Sequence, residues 1–177
     1  MTDYSGLIVP LPDLEPVVGE WRACYDAEFV DTPAHVTVLF PWIPPGSLTE
    51  ADLDAVGQLA RSWQPFEVCF ARFGDFQTFE DAGVHYLAPE PADPFLALTD
   101  DVCAVWPEYP PYEGAFAEVV PHLTVSSSAD AEQAAELRAA VEALLPVRTV
   151  AAELVVVEVL DRRCRVRRSF RLGGRKR

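Results

Sequence analysis

Two stretches decide how this chain is read: Pro33-Ala34-His35-Val36-Thr37-Val38-Leu39 and Val120-Pro121-His122-Leu123-Thr124-Val125-Ser126. The chain has only three histidines in 177 residues, and two of them stand in nearly the same words, about half the chain apart. Side chains alternate across a β-strand, so His35 and Thr37 share one face about 7 Å apart, while Val36, Val38 and Phe40 share the other. The same parity groups His122, Thr124 and Ser126 and turns Leu123 and Val125 inward. In each strand one apolar row anchors to a core, and the opposite row presents an imidazole and a hydroxyl.

Outward from these strands, apolar runs at Leu7–Leu11, Val36–Phe40, Phe66–Phe73, Val84–Leu87, Phe116–Val125 and Leu154–Leu160 predict further β-structure. Helices are expected at Leu14–Tyr25, Leu48–Trp63, Phe95–Trp106 and Asp130–Leu145. The second should open on the capping box Ser47-Leu48-Thr49-Glu50, and the fourth should close at Pro146. Leu160-Asp161-Arg162-Arg163-Cys164 reads as a turn between two final strands. Strand, helix, strand, helix, strand then occurs twice, and Val9-Pro10-Leu11-Pro12-Asp13-Leu14-Glu15-Pro16 parallels Ala88-Pro89-Glu90-Pro91-Ala92-Asp93-Pro94. Residues 1–177 are therefore expected to form one bilobal domain from related halves, 4–80 and 83–173, with 174–177 a frayed basic tail. A pseudo-twofold packing would bring the two histidine rows face to face across a cleft.

Composition agrees with an ordinary globular chain: 50% hydrophobic, 24% charged, mean hydropathy +0.07. The apolar runs are strand-sized, too short for a membrane span, and the N-terminus lacks the pattern of a secretory signal. Cys24, Cys69, Cys103 and Cys164 form no C-x-x-C pair and read as reduced thiols, which points to the cytoplasm. All 28 acidic residues lie within 1–161, together with only five arginines, and nine basic residues follow from Arg162 onward. So negative a body repels a long duplex nucleic acid, yet admits a small ligand bearing one or two phosphates.

Two facing histidines supply an acid and a base near neutral pH without a metal or cofactor. Opening a phosphodiester needs both, on opposite sides of phosphorus, and hydroxyls at Thr37 and Thr124 can hold the non-bridging oxygens. On both motifs, Ala-His-Val-Thr-Val-Leu-Phe-Pro and Val-Val-Pro-His-Leu-Thr-Val, their spacing, the repeated strand–helix order and the terminal Arg-Leu-Gly, the chain resembles the two-histidine (2H) phosphoesterases, and within them the bacterial 2'-5' RNA ligase-like proteins. The resemblance implies an α+β fold of two pseudo-symmetric lobes, each an antiparallel sheet with two flanking helices, around a central cleft. It implies 2',3'-cyclic or 2'-5' phosphodiesters as substrates, whether free nucleotides or RNA 3' ends. His35 and His122 are the catalytic candidates, with neither assigned as acid or base, and Thr37 and Thr124 the phosphate-binding ones.

Tyr86, Tyr112 and Phe116 are candidates to line the site and stack on a base. His85 has no hydroxyl two residues on and reads as structural. Arg165, Arg167, Ser169 and Arg171 alternate with Cys164, Val166, Arg168, Phe170 and Leu172 as in a charged edge strand. Those arginines either neutralise the acidic body or contact RNA, and Arg168, on the apolar row, is expected to reach the cleft. The functional expectation is a monomeric phosphoesterase; the rival is a non-catalytic phosphate- or RNA-binding module on the same fold.

Overall fold

In a computed structural model that describes residues 3–26, 31–76, 83–161 and 163–173, the chain is α+β. The elements run β1 (Tyr4–Pro10), α1 (Glu15–Tyr25), β2 (His35–Leu39), α2 (Glu50–Ser62), β3 (Phe66–Phe76), β4 (Val84–Glu90), α3 (Asp93–Val105), β5 (Leu123–Ser126), α4 (Ala131–Glu142), β6 (Val147–Ala151), β7 (Glu153–Leu160) and β8 (Arg163–Arg171). The strands form two four-stranded antiparallel sheets, β2-β1-β7-β8 and β5-β4-β3-β6, so both motif strands lie at a sheet edge. α2 and α3 pack on the first sheet, α1 and α4 on the second. One apolar core, including Leu7, Leu39, Leu53, Phe70, Phe95, Leu123 and Leu137, runs through both.

The lobes do not follow the sequence halves 4–80 and 83–173. β3 leaves the first half to pair with β4, and β7 leaves the second to pair with β1. α1 and α3 likewise pack against the other half's motif strand. This exchange is set by long-range pairing, which a local pattern of apolar residues does not encode. The tail at 174–177 lies outside the described residues.

Local chemistry explains most element ends. α2 starts two residues later than the Ser47 box requires: Ser47 closes a 3-10 turn, and Thr49 and Asp52 form the reciprocal cap instead. Asp130 and Gln133 do the same for α4, with bonds of 2.9 and 3.0 Å. α1 and α3 carry Pro16 and Pro94 in their first turns, where an N–H is not needed. The run Phe116–Val125 yields only the short β5, because residues 115–122 make no strand and Phe116 and Val120 face solvent. No described helix is long and apolar enough to cross a membrane.

Candidate active site

Both motif strands carry a bulge at the same place. In β2 the register passes from Ile8↔Thr37 to Leu7↔Leu39, leaving Val38 unpaired; in β5 it passes from Tyr86↔Thr124 to His85↔Ser126, leaving Val125 unpaired. Each bulge falls three residues after its histidine and reverses the alternation beyond it. His35 and Thr37 thus stay on the cleft face and Leu39 turns to the core, so Phe40 joins the cleft rather than the row of Val36. Likewise Ser126 leaves the face of His122 and Thr124, and Ser127 takes its place. Buried Ser126 accepts from the Ala129 N–H at 3.0 Å, shaping the turn ahead of α4. Gly6 makes room for Phe40 on the first sheet, since a Cβ there would lie 2.9 Å from its ring.

The two histidines are held alike. His35 Nδ1 lies 2.6 Å from the Pro33 carbonyl, and His122 Nδ1 lies 2.7 Å from the Val120 carbonyl. A carbonyl only accepts, so each Nδ1 carries the proton and each Nε2, on the opposite edge of its ring, is the free base. Both rings line one cleft of about 210 Å³ with Thr37, Thr124, Ser127 and Tyr112. Its apolar wall is Ile8, Val157, Val159 and Cys164, on the cleft face of the first sheet. His122 is braced on its other side by Phe76 and Tyr86, with ring centroids 5.1 and 5.6 Å away.

Burial lowers both imidazoles. His35 is pushed down to about 4, first by desolvation and then by the Arg22 guanidinium, with His122 adding to the effect and the Pro33 carbonyl opposing it. His122 is lowered by desolvation, against its bond to the Val120 carbonyl. An empty cleft at neutral pH therefore holds two neutral rings, and an entering phosphate anion favours a proton on one of them. Among the described residues no cluster of three or more His, Cys, Asp and Glu is placed to hold a metal ion.

The remaining candidates separate. Tyr86 reaches the site only through His122, stacked on Phe76 at 4.3 Å. Phe116 stands 64% exposed against the edge of Tyr112, outside the cleft, whereas Tyr112 lines it. Tyr112 and Glu113 hold left-handed φ of 51° and 56°, and the Tyr112 N–H donates to the Phe40 carbonyl at 2.7 Å. Arg168 does not reach the cleft. Val157 pairs with Val166 and Val156 with Arg168, so a bulge at Arg167 turns Arg168 toward α2, where it bonds Glu50 at 2.9 Å. Arg163, Arg165, Arg167 and Arg171 also meet carboxylates, of Asp31, Glu158 and Glu153, which is the neutralising role expected of an edge strand. His85 faces away from the cleft, its ring 6.0 Å from Phe73.

Sequence reasoning passed over Arg22, Asp26, Thr32 and the valines of the apolar wall. One signal was available: Arg22 stands four residues after Val18 on the buried stripe of α1, a charged residue where a core residue belongs.

A family model described as the 2'-5' RNA ligase superfamily matches residues 10–163. No curated protein matches the chain. Its structure is similar to TT0787 of Thermus thermophilus, with TM-score 0.63, 22% identity, and coverage of 98% of this chain and 100% of that one. It is also similar to E. coli LigT complexed with 3'-AMP, with TM-score 0.58, 15% identity, and coverage of 98% and 100%. A third structure, described as a phosphoesterase, gives TM-score 0.58 at 14% identity over 97% and 99%. At such identities the likeness shows a shared fold.

Proposed function

Since the chain belongs to the 2'-5' RNA ligase superfamily and carries a His-x-Thr motif twice, we propose that it is a metal-independent phosphoesterase that opens a small 2',3'-cyclic or 2'-5' phosphodiester, on a nucleotide or an RNA 3' end. The observation that carries this reading is the matched pair of imidazoles lining one cleft, each with Nδ1 tied to the carbonyl two residues earlier.

With phosphorus between the rings, one neutral Nε2 takes a proton from water as its oxygen bonds to phosphorus. The other ring, as imidazolium, gives its Nε2 proton to the sugar oxygen as the opposite P–O bond breaks. One proton enters the pair and one leaves it, so no further reactant is needed. Thr37 and Thr124 hydroxyls donate to the non-bridging oxygens, where charge concentrates as phosphorus becomes five-coordinate. With the hydroxyl of a second end in place of water, the same steps on a 2',3'-cyclic end would join two ends and open the ring.

The cleft also supports the size and charge of the substrate. At about 210 Å³ the cleft is smaller than the ~300–1,000 Å³ of pockets for drug-sized ligands, which suits a phosphodiester on one sugar. No described Lys or Arg lines it, while Asp26 does, so a diester monoanion is favoured over a polyphosphate. The apolar wall beside the imidazoles suits the uncharged remainder of a nucleotide, and the 3'-AMP in E. coli LigT is a ligand of that kind.

The test is hydrolysis of 2',3'-cyclic CMP in EDTA by wild type, His35→Ala and His122→Ala. Wild-type turnover should survive the chelator and each variant should lose about 100-fold or more. Variants within about twofold of wild type would remove the acid–base roles. Binding without turnover would favour the non-catalytic module, and loss of activity in EDTA a metal-dependent enzyme.

A further inference from the structure

The two motif strands belong to different sheets, so the ladder of neither sheet sets the distance between them. Helix α1 packs on β5 and bonds to the segment that leads into β2. Arg22, 6% exposed, donates from Nη1 to the Thr124 carbonyl at 2.7 Å and from Nη2 to the Thr32 carbonyl at 3.2 Å. Asp26, one turn later, lies 3.4 Å from Nη2 and accepts from Ser127 Oγ at 3.2 Å. The Tyr25 carbonyl accepts the N–H groups of Ser127 and Ser128 at 2.8 and 3.1 Å. At the other end of the helix, the Glu15 carboxylate accepts the N–H of Ala34, the residue before His35. Backbone flanking both histidines is thus gripped by a single helix.

We propose that Arg22 is the positioning residue of the histidine pair: its guanidinium ties β5, at Thr124, to the segment leading into β2, at Thr32, and fixes their separation, while its charge opposes a proton on His35. The proposal rests on the phosphoesterase reading above.

A planar guanidinium can serve two carbonyls in different directions through its two Nη atoms, which a lysine ammonium on a single stem does not reproduce. Arg22 does not line the cleft, so it is a standing charge rather than a substrate ligand. The charged and titratable groups gathered around His35 are Arg22 and Asp26 from α1, His122 ahead of β5, Tyr112, and Cys164 from β8. Of these, Arg22 bears most strongly against a proton on His35, whereas His122 is lowered by burial alone.

The test reads the two ring titrations by NMR in the ligand-free protein, alongside kcat for 2',3'-cyclic CMP. Arg22→Met removes charge and bridge together and should raise the His35 midpoint by about one unit, with His122 moving less. Arg22→Lys keeps the charge and loses the bridge; His35 should stay close to its wild-type midpoint while kcat falls about tenfold or more. Asp26→Asn, which leaves Arg22 without its counter-charge, should lower the His35 midpoint further, and it keeps the test open if Arg22→Met does not fold. A His35 midpoint indifferent to both Arg22→Met and Asp26→Asn, or full kcat in Arg22→Lys, overturns the proposal. The titrations do not depend on turnover, so a protein that shows these shifts but hydrolyses nothing would refute the phosphoesterase reading and leave the clamp standing.

Discussion

Replacing His35 with glutamine removes a ring that the fold keeps neutral, and the consequence is a change in how stability depends on pH. The ring is pushed from its ordinary 6.5 to about 4 in the folded protein. Between those values the unfolded chain binds a proton at His35 and the folded chain does not, so stability present above pH 6.5 is lost as pH falls toward 4. At pH 5 the unfolded ring is almost wholly protonated and the folded ring mostly bare, which at ~1.4 kcal/mol per pKa unit amounts to about 2 kcal/mol. Urea unfolding at pH 7 and pH 5 reads the difference through Trp42 and Trp106, which pack edge-to-face in the core at 5.0 Å. Carboxylates titrate in both proteins, so their contribution cancels in the comparison. Wild type should lose about 2 kcal/mol more than His35→Gln over this interval. Parallel losses would show that His35 is not desolvated in the folded state and would undo its treatment as a neutral base.

Four further substitutions probe other parts of the account. Thr124→Val and Thr37→Val should each lower kcat on 2',3'-cyclic CMP by about 100-fold with a smaller change in KM, since each removes one donor to the developing charge; an effect confined to KM would make them ground-state contacts. Thr49→Ala breaks the α2 cap, far from the cleft, and should cost about 1 kcal/mol in urea unfolding while kcat is preserved. A Cβ at Gly74 would fall 2.7 Å from Tyr86 Cζ, so Gly74→Ala should displace the ring that braces His122 and lower kcat about tenfold; unchanged turnover would show that Tyr86 does not orient the imidazole.

The site was legible in the sequence because its signal is local. Alternation at period two, with valine and leucine on one side and histidine and threonine on the other, places His35 with Thr37 and His122 with Thr124 without knowledge of the rest of the fold. What a local pattern lacks is the single unpaired residue. Bulges at Val38, Val125 and Arg167 each reverse the faces beyond them, which brought Phe40 and Ser127 into the cleft and took Ser126 and Arg168 out. β6 went unread because Arg148 and Val150 point outward and leave no apolar run. The exchange of β3 and β7 between lobes is a long-range pairing choice that nothing in either strand's own sequence announces. Arg22 stands between these cases: its place on the buried stripe of α1 was visible, but its two carbonyl partners were not.

The central claim is that His35 and His122 act on one phosphorus atom, and a crystal structure of the protein with a nucleoside vanadate tests it most directly. Vanadate adopts the five-coordinate geometry of the reacting phosphate. The two apical oxygens should each lie about 3 Å from a different Nε2, with Thr37 and Thr124 Oγ1 on equatorial oxygens. A vanadate that touches one imidazole alone, or binds away from both, would contradict the account.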